Sequence, residues 1–221
     1  IGGLVGLAIW LLNPQIATAQ GTVTYLSNLA QGSTGSVAVG NNSWLAEQFT
    51  TGPNGGGYAL NSIQLAMADA SGDPNSFTVM IYSSVIGAGI MPGSSLGTLA
   101  GPANPATAGP YSYTSTSSLT LSPNSYYFIV LTAGTTVANG AYEWSVEDAT
   151  RPSSSGWLGF NLLQSSNGSD TSWSFVSSSY PQFAINATAA PEPGVVGLVA
   201  FGTLFFGLRR RLGARGEAPG A

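Results

Sequence analysis

Between Thr22 and Ala187 the chain alternates apolar and polar residues with a period of two, in short runs separated by clusters of Gly, Pro, Asn and Ser. Period-two alternation is the signature of half-buried strands. Leu60–Met67 is the clearest run, with Ile63, Leu65 and Met67 facing one way and Gln64 and Ala66 the other. Phe77, Val79 and Ile81 alternate with Thr78, Met80 and Tyr82, which predicts a strand covered on both faces. Tyr126–Thr132 is apolar almost throughout and is the strongest strand in the chain; it follows Leu119, Leu121 and a Pro-Asn turn. Further strands are expected at Thr22–Leu26, Trp44–Thr50, Tyr142–Val146, Trp157–Leu163, Trp173–Val176 and Phe183–Ile185. No stretch between Gln20 and Ala190 keeps a helical period, and no fixed repeat is present. The pattern predicts an all-β, antiparallel β-sandwich, jelly-roll-like in arrangement. The proline-rich Gly101–Pro110 reads as a surface crossover.

Two apolar runs do not fit this pattern. Gly2–Leu12, then Asn13-Pro14, then Ala17-Thr18-Ala19 before Gln20, has the order of a secretory signal peptide cleaved after Ala19. Ile1 is not a start methionine and no basic residues precede the run, so the natural chain is expected to begin upstream. A buried core helix is the alternative for this segment. Near the other end, Gly194–Leu208 holds fifteen residues without a charge, an amide or a proline, followed at once by Arg209, Arg210 and Arg211. As a helix it would be roughly 22 Å long, short of the roughly 30 Å hydrocarbon core. The abutting arginines decide its reading, because they hold that end in the cytoplasm and leave everything earlier outside. The expected organisation is therefore a signal peptide at 1–19, a β-sandwich at 20–188, a linker at 189–193, a single transmembrane helix at 194–208 and a basic cytoplasmic tail at 209–221.

Only 6% of residues are charged, against roughly 25% in ordinary soluble proteins. From Gln20 to Ala190 seven acids face Arg151 alone, a net charge of −6, and there is no lysine. A surface made of Ser, Thr, Asn, Gln and Gly has nothing to attract a phosphate backbone, so nucleic acid is excluded as a partner. The chain has no cysteine and no histidine, which removes disulfides, thiolate sites, the usual general base and the commonest transition-metal ligand. No cofactor, metal ligand or catalytic residue is expected.

Two acidic clusters deserve a chemical reading. Asp69-Ala-Ser-Gly-Asp-Pro-Asn75 spaces oxygen side chains as a calcium loop does, but Pro74 and Met80 stand where glycine and glutamate are required. A hairpin turn through Gly72 and Asp73-Pro74 explains the same residues. Glu143, Glu147 and Asp148 lie near Trp144 and Trp157. Glycosidases set two carboxylates about 5 to 9.5 Å apart, yet on a strand Glu143 and Glu147 share the face opposite Trp144 and Val146. The expectation is a solvated face opposite a core face.

Pro191-Glu192-Pro193, the apolar run and the arginine cluster, in that order, resemble the PEP-CTERM sorting signal of Gram-negative bacteria. The resemblance implies Pro191, Glu192 and Pro193 as the recognition triplet for exosortase, a membrane-embedded cysteine protease-transpeptidase. It implies Gly194–Leu208 as the span and Arg209, Arg210 and Arg211 as the stop. A ten-residue tail after the arginines is longer than usual for the family. Asn41–Thr51, Tyr58–Leu65, Met91–Leu96 and Leu121–Val130 are similar to a choice-of-anchor domain of the R type, over roughly Tyr25–Glu147. That likeness implies surface display and no enzyme activity.

The expectation is a non-enzymatic protein, exported through the inner membrane and finally located at the cell surface or in the extracellular matrix, structural or adhesive within exopolysaccharide or biofilm. The implied partners are the exosortase-type protease, exopolysaccharide and, transiently through 194–208, the inner membrane. The alternatives are a carbohydrate-binding module working through exposed aromatic rings, a glycoside hydrolase using Glu143 and Glu147, or a plain permanent anchor.

Overall fold

The computed structural model describes residues 21–87, 89–148, 151–154, 156–169, 171–177 and 179–192. Among them the chain is all-β and antiparallel, and its only helical turn is a 3-10 segment at Val137–Asn139. In chain order the first strands are β1 (Val23–Ser27), β2 (Gly35–Val39), β3 (Trp44–Thr50), β4 (Tyr58–Gly72), β5 (Thr78–Ile86), β6 (Ile90–Ala100), β7 (Gly109–Ser115) and β8 (Thr120–Leu121). They are followed by β9 (Tyr126–Thr132), β10 (Gly140–Glu147), β11 (Ser153–Ser154), β12 (Trp157–Ser165), β13 (Ser174–Ser177), β14 (Tyr180–Pro181) and β15 (Phe183–Ala189). No helix among the described residues is long and apolar enough to cross a membrane. The expected signal peptide, the transmembrane helix and the basic tail all lie outside the described residues.

Pairing runs β1-β15-β4-β7-β6-β5-β9-β3-β12-β11, with β10 joining β2, β4 and β14 to this path. β6 and β7 meet over only two pairs, Leu99 with Ser115 and Ala100 with Thr114. At this thin seam the sheet turns from one layer to the other. Both layers supply one core: Ile63, Leu65 and Ile185 from one side, Phe49, Val79, Ile81 and Ile129 from the other. The long β4 serves two partners in turn. Its first part pairs β15, from Tyr58 with Ala189 to Leu65 with Phe183, and its last part pairs β10, from Met67 with Trp144 to Gly72 with Gly140.

The strand pattern follows from which faces are covered. On β4 the residues Ile63, Leu65 and Met67 are buried while Gln64 and Ala66 are half-buried. On β5 and β9 both faces are used, because Ala46, Tyr82, Phe128, Val130 and Leu163 form a second cluster against which Trp44, Met80, Ile90 and Trp173 pack. That second cluster is why Tyr126–Thr132 is apolar at every position but its polar last residue. The segment expected as a crossover at Gly101–Pro110 gives its last two residues to β7 and links β6 to that paired neighbour; two tyrosines tie it inward, Tyr113 donating to the Pro102 carbonyl and Tyr142 reaching Ala103 and Asn104. Burial pushes both hydroxyls above their usual titration range. Gly72, at φ +60°, makes the turn expected after β4. It does not close a hairpin, since β5 pairs with β6 and β9 and not with β4; the chain crosses there between layers.

Glu47 stands on the inward face of β3 between Leu45 and Phe49, fully buried, opposite Ile129 and Leu162. Neither of its carboxyl oxygens makes a hydrogen bond of good geometry, the Phe160 backbone amide being a weak neighbour at most. Burial drives its pKa well above the carboxylate range, opposed more weakly by the Phe160 amide and the Arg151 guanidinium. The unfolded carboxyl loses its proton near pH ~4.3, whereas the folded one retains it to higher pH. Above ~4.3 the native state therefore binds more protons, and stability falls as pH rises until the folded group itself ionises. Urea unfolding across this range should show wild type losing up to ~1.4 kcal/mol per pH unit relative to Glu47→Gln. Parallel pH dependences for the two proteins would contradict the buried neutral acid.

Candidate functional site

The strand registers bring one end of the molecule together. β3 arrives there at Thr50, which pairs with Tyr126 at the start of β9 and with Leu158 near the start of β12. β4 starts there at Tyr58, opposite Ala189 at the end of β15. The described chain leaves from this end at Glu192.

The connection between β3 and β4 contains Pro53-Asn54-Gly55-Gly56-Gly57. The Gly57 amide donates to the Asn54 carbonyl (2.8 Å), closing a four-residue turn. The Asn54 side-chain amide then reaches two carbonyls, those of Gly57 (2.6 Å) and Ala190 (3.0 Å). The Ala190 amide donates back to the Gly57 carbonyl (2.9 Å). Beyond it the Gly55 amide donates to Glu192 Oε1 (3.2 Å). A Cβ on Gly56 would lie 2.6 Å from the Ala190 carbonyl oxygen and 2.7 Å from that of Pro191. Both obstacles are backbone, so only glycine lets the two segments approach this closely.

The turn is itself fastened to the core. The Asn54 amide donates to the Tyr58 hydroxyl (3.2 Å), and the Tyr58 ring meets Trp157 edge-on at 4.8 Å. Trp157 is fully buried and stacks on Tyr25 at 5.1 Å and Phe49 at 6.1 Å. Strands from both layers thus hold the platform against which Ala190–Glu192 lies.

Of the expected sorting residues, Pro191 and Glu192 are described and exposed, at the outer side of this platform. Pro193, Arg209, Arg210 and Arg211 lie outside the described residues, as do Ala17, Ala19 and Gln20. β15 runs to Ala189, two residues past Ala187 where the alternating pattern ends, and hydrogen bonding continues to Glu192. The linker is therefore bonded to the body rather than standing off it. Asn54 to Gly57 were missed by the sequence reading. Their Gly-rich composition signals a turn but not what the turn holds.

The acidic clusters are not brought into a catalytic arrangement. Asp69 accepts the Ala108 amide (2.8 Å) and Asp73 is exposed beyond the Gly72 turn. Among the described residues no three acids gather as metal ligands do. Glu143 accepts a hydrogen bond from the Ser36 hydroxyl (2.8 Å). The solvated face expected of both glutamates is corrected at Glu147, which is 1% exposed and paired with Tyr180 of β14. The added strand at that edge covers what would otherwise face water. Of the described aromatic residues Phe175 is the exposed one, with the half-buried Trp173 two residues before it. No protein-family model matches this chain, and no curated protein sequence matches it.

Gly56→Val should push Ala190–Glu192 off the turn. Limited proteolysis is expected to cut at Ala189–Glu192 several times faster than in wild type, while global stability changes by at most about 1–2 kcal/mol. An unchanged cutting rate would show that the turn does not hold the segment.

Proposed function

We propose that this chain is an exported surface or extracellular-matrix protein whose β-body is delivered by a PEP-CTERM-type signal and processed by an exosortase-type membrane protease. The observation that carries the reading is the order Pro191-Glu192-Pro193, Gly194–Leu208, Arg209–Arg211 directly after the last strand, with Pro191 and Glu192 exposed. In this reading residues 1–19 are the signal peptide, the body is a jelly-roll-like choice-of-anchor domain, and 194–208 is a transient transmembrane helix. A fifteen-residue span sits in a bilayer by local thinning, at a modest cost per ångström of mismatch, which suits a passing substrate. The prolines lack amide donors and resist helix, so the triplet meets a protease in extended form.

The body's part is structural or adhesive, within exopolysaccharide. A nearly uncharged surface rich in hydroxyls and amides hydrates well among sugars. Glu47, the one acid among the described residues with a resolved upward shift, is fully buried in the core.

In a host carrying an exosortase, the surface-extracted protein should end near Pro191–Pro193 by C-terminal mass. Changing all three to alanine should leave an uncut precursor in the inner membrane. Retention of Gly194–Leu208 by the wild-type protein at its final location would overturn the sorting reading in favour of a permanent anchor.

A further inference from the structure

A second feature projects from the end where the chain leaves. β5 and β6 form a hairpin whose outer pairs are Ser84–Pro92, Val85–Met91 and Ile86–Ile90, closed by the Gly87 amide donating to the Gly89 carbonyl. The last contact of β5 with β9 is Ser83 with Tyr127. The three outer positions of β5 therefore lie beyond its pairing with β9, while Ile90, opposite Ile86, still packs against the second cluster. Tyr126 pairs with Thr50 on β3, and β3 leads into the Asn54–Gly57 turn that holds Ala190–Glu192. The tip and the exit point thus share one end of the molecule, β5 standing two strands from β3 in the sheet.

The tip is apolar where solvent should favour polar residues. Ile86 is 76% exposed, Val85 57% and Met91 37%. Two other exposed hydrophobic side chains, Leu158 opposite Thr50 and Val23 opposite Ala187, lie toward the same end. Clustered exposed apolar groups mark a contact surface. From Pro74 to Tyr142 there is no charged residue at all, so no charge on the hairpin opposes transfer into a medium of low dielectric. Just inside the tip, Tyr126 packs edge-on against Phe160 and the Arg151 guanidinium lies 5.1 Å above the Phe160 ring. Aromatic rings with a cationic head beside them suit the headgroup zone of a bilayer.

We propose that Val85, Ile86 and Met91 rest in the surface of a lipid bilayer beside the point where the chain leaves the body. The proposal rests on the reading of 194–208 as a membrane span, since that segment begins only two residues after Glu192 and brings this end to the lipid. The hairpin and the span then make two contacts with one membrane. Two contacts fix the body's tilt and keep Pro191-Glu192-Pro193 at the depth of a membrane-embedded protease.

The chain has no cysteine, so single cysteines label cleanly. The full chain, reconstituted in phosphatidylcholine–phosphatidylglycerol vesicles, would carry an environment-sensitive fluorophore at Ile86→Cys, at Thr203→Cys in the apolar run, or at Ala138→Cys at the opposite end. Nitroxide-labelled lipids supply the quencher. The expected result is a blue shift and quenching at 86 and 203, with 138 remaining in water. Replacing Val85 and Met91 by serine should abolish the signal at 86 and leave that at 203. Position 203 in lipid with 86 in water overturns the hairpin contact and leaves the span standing. Both positions in water overturn the two together, and 86 in lipid with 203 in water sustains the hairpin and overturns the span.

Discussion

The structure depends on the packing of Trp157 between its two layers. Its ring lies parallel to Phe49 from β3 and nearly so to Tyr25 from β1, and Tyr58 from β4 closes the edge. Such pairs contribute about 0.5–1.5 kcal/mol each beyond the area they bury. The stack ties β12 not only to its paired neighbour β3 but also to β1 and β4, with which it does not pair. It also fixes the geometry outside the core, since the Tyr58 hydroxyl receives the Asn54 amide and Asn54 receives the departing chain. A contact made for stability thereby determines where Pro191 and Glu192 stand.

A second constraint is the scarcity of charge. Arg151 is the only cation among the described residues, and it lies over Phe160 rather than in an ion pair. Surface order must then come from hydroxyl and amide hydrogen bonds, as between Ser36 and Glu143 or Asn186 and Ser62. The buried Glu47 fits the same economy: the Arg151 guanidinium offsets its burial only in part, and the carboxyl avoids the cost of ionisation by holding its proton. A neutral exterior also leaves the apolar hairpin tip as the most distinctive chemistry on the surface.

Much of this was legible in the sequence, for identifiable reasons. Leu60–Met67 reads as a strand because one of its faces meets the core and the other does not, so its composition alternates. Tyr126–Thr132 reads as central because both faces are covered. Glu147 was misread because the segment that buries it, Tyr180–Pro181, arrives from far along the chain. The turn after Gly72 was legible as a turn and illegible as a crossing between layers, since local chemistry is the same for both. The docking of Ala190 on Asn54 joins residues 136 apart, and nothing local to Pro53–Gly57 names its partner. The triplet and arginines were read from order alone, which is why their reading depends on chemistry outside the folded body.

The central claim is that the segment entering the Pro-Glu-Pro triplet belongs to the folded body through the Asn54–Gly57 turn. Amide hydrogen exchange resolved at single residues tests it most directly. The Ala190 amide, bonded to the Gly57 carbonyl, should exchange as slowly as the paired amides of β15, within about tenfold, and should speed up when Trp157 is replaced by alanine. Exchange at Ala190 at the rate of an open peptide in the wild-type protein would contradict the account.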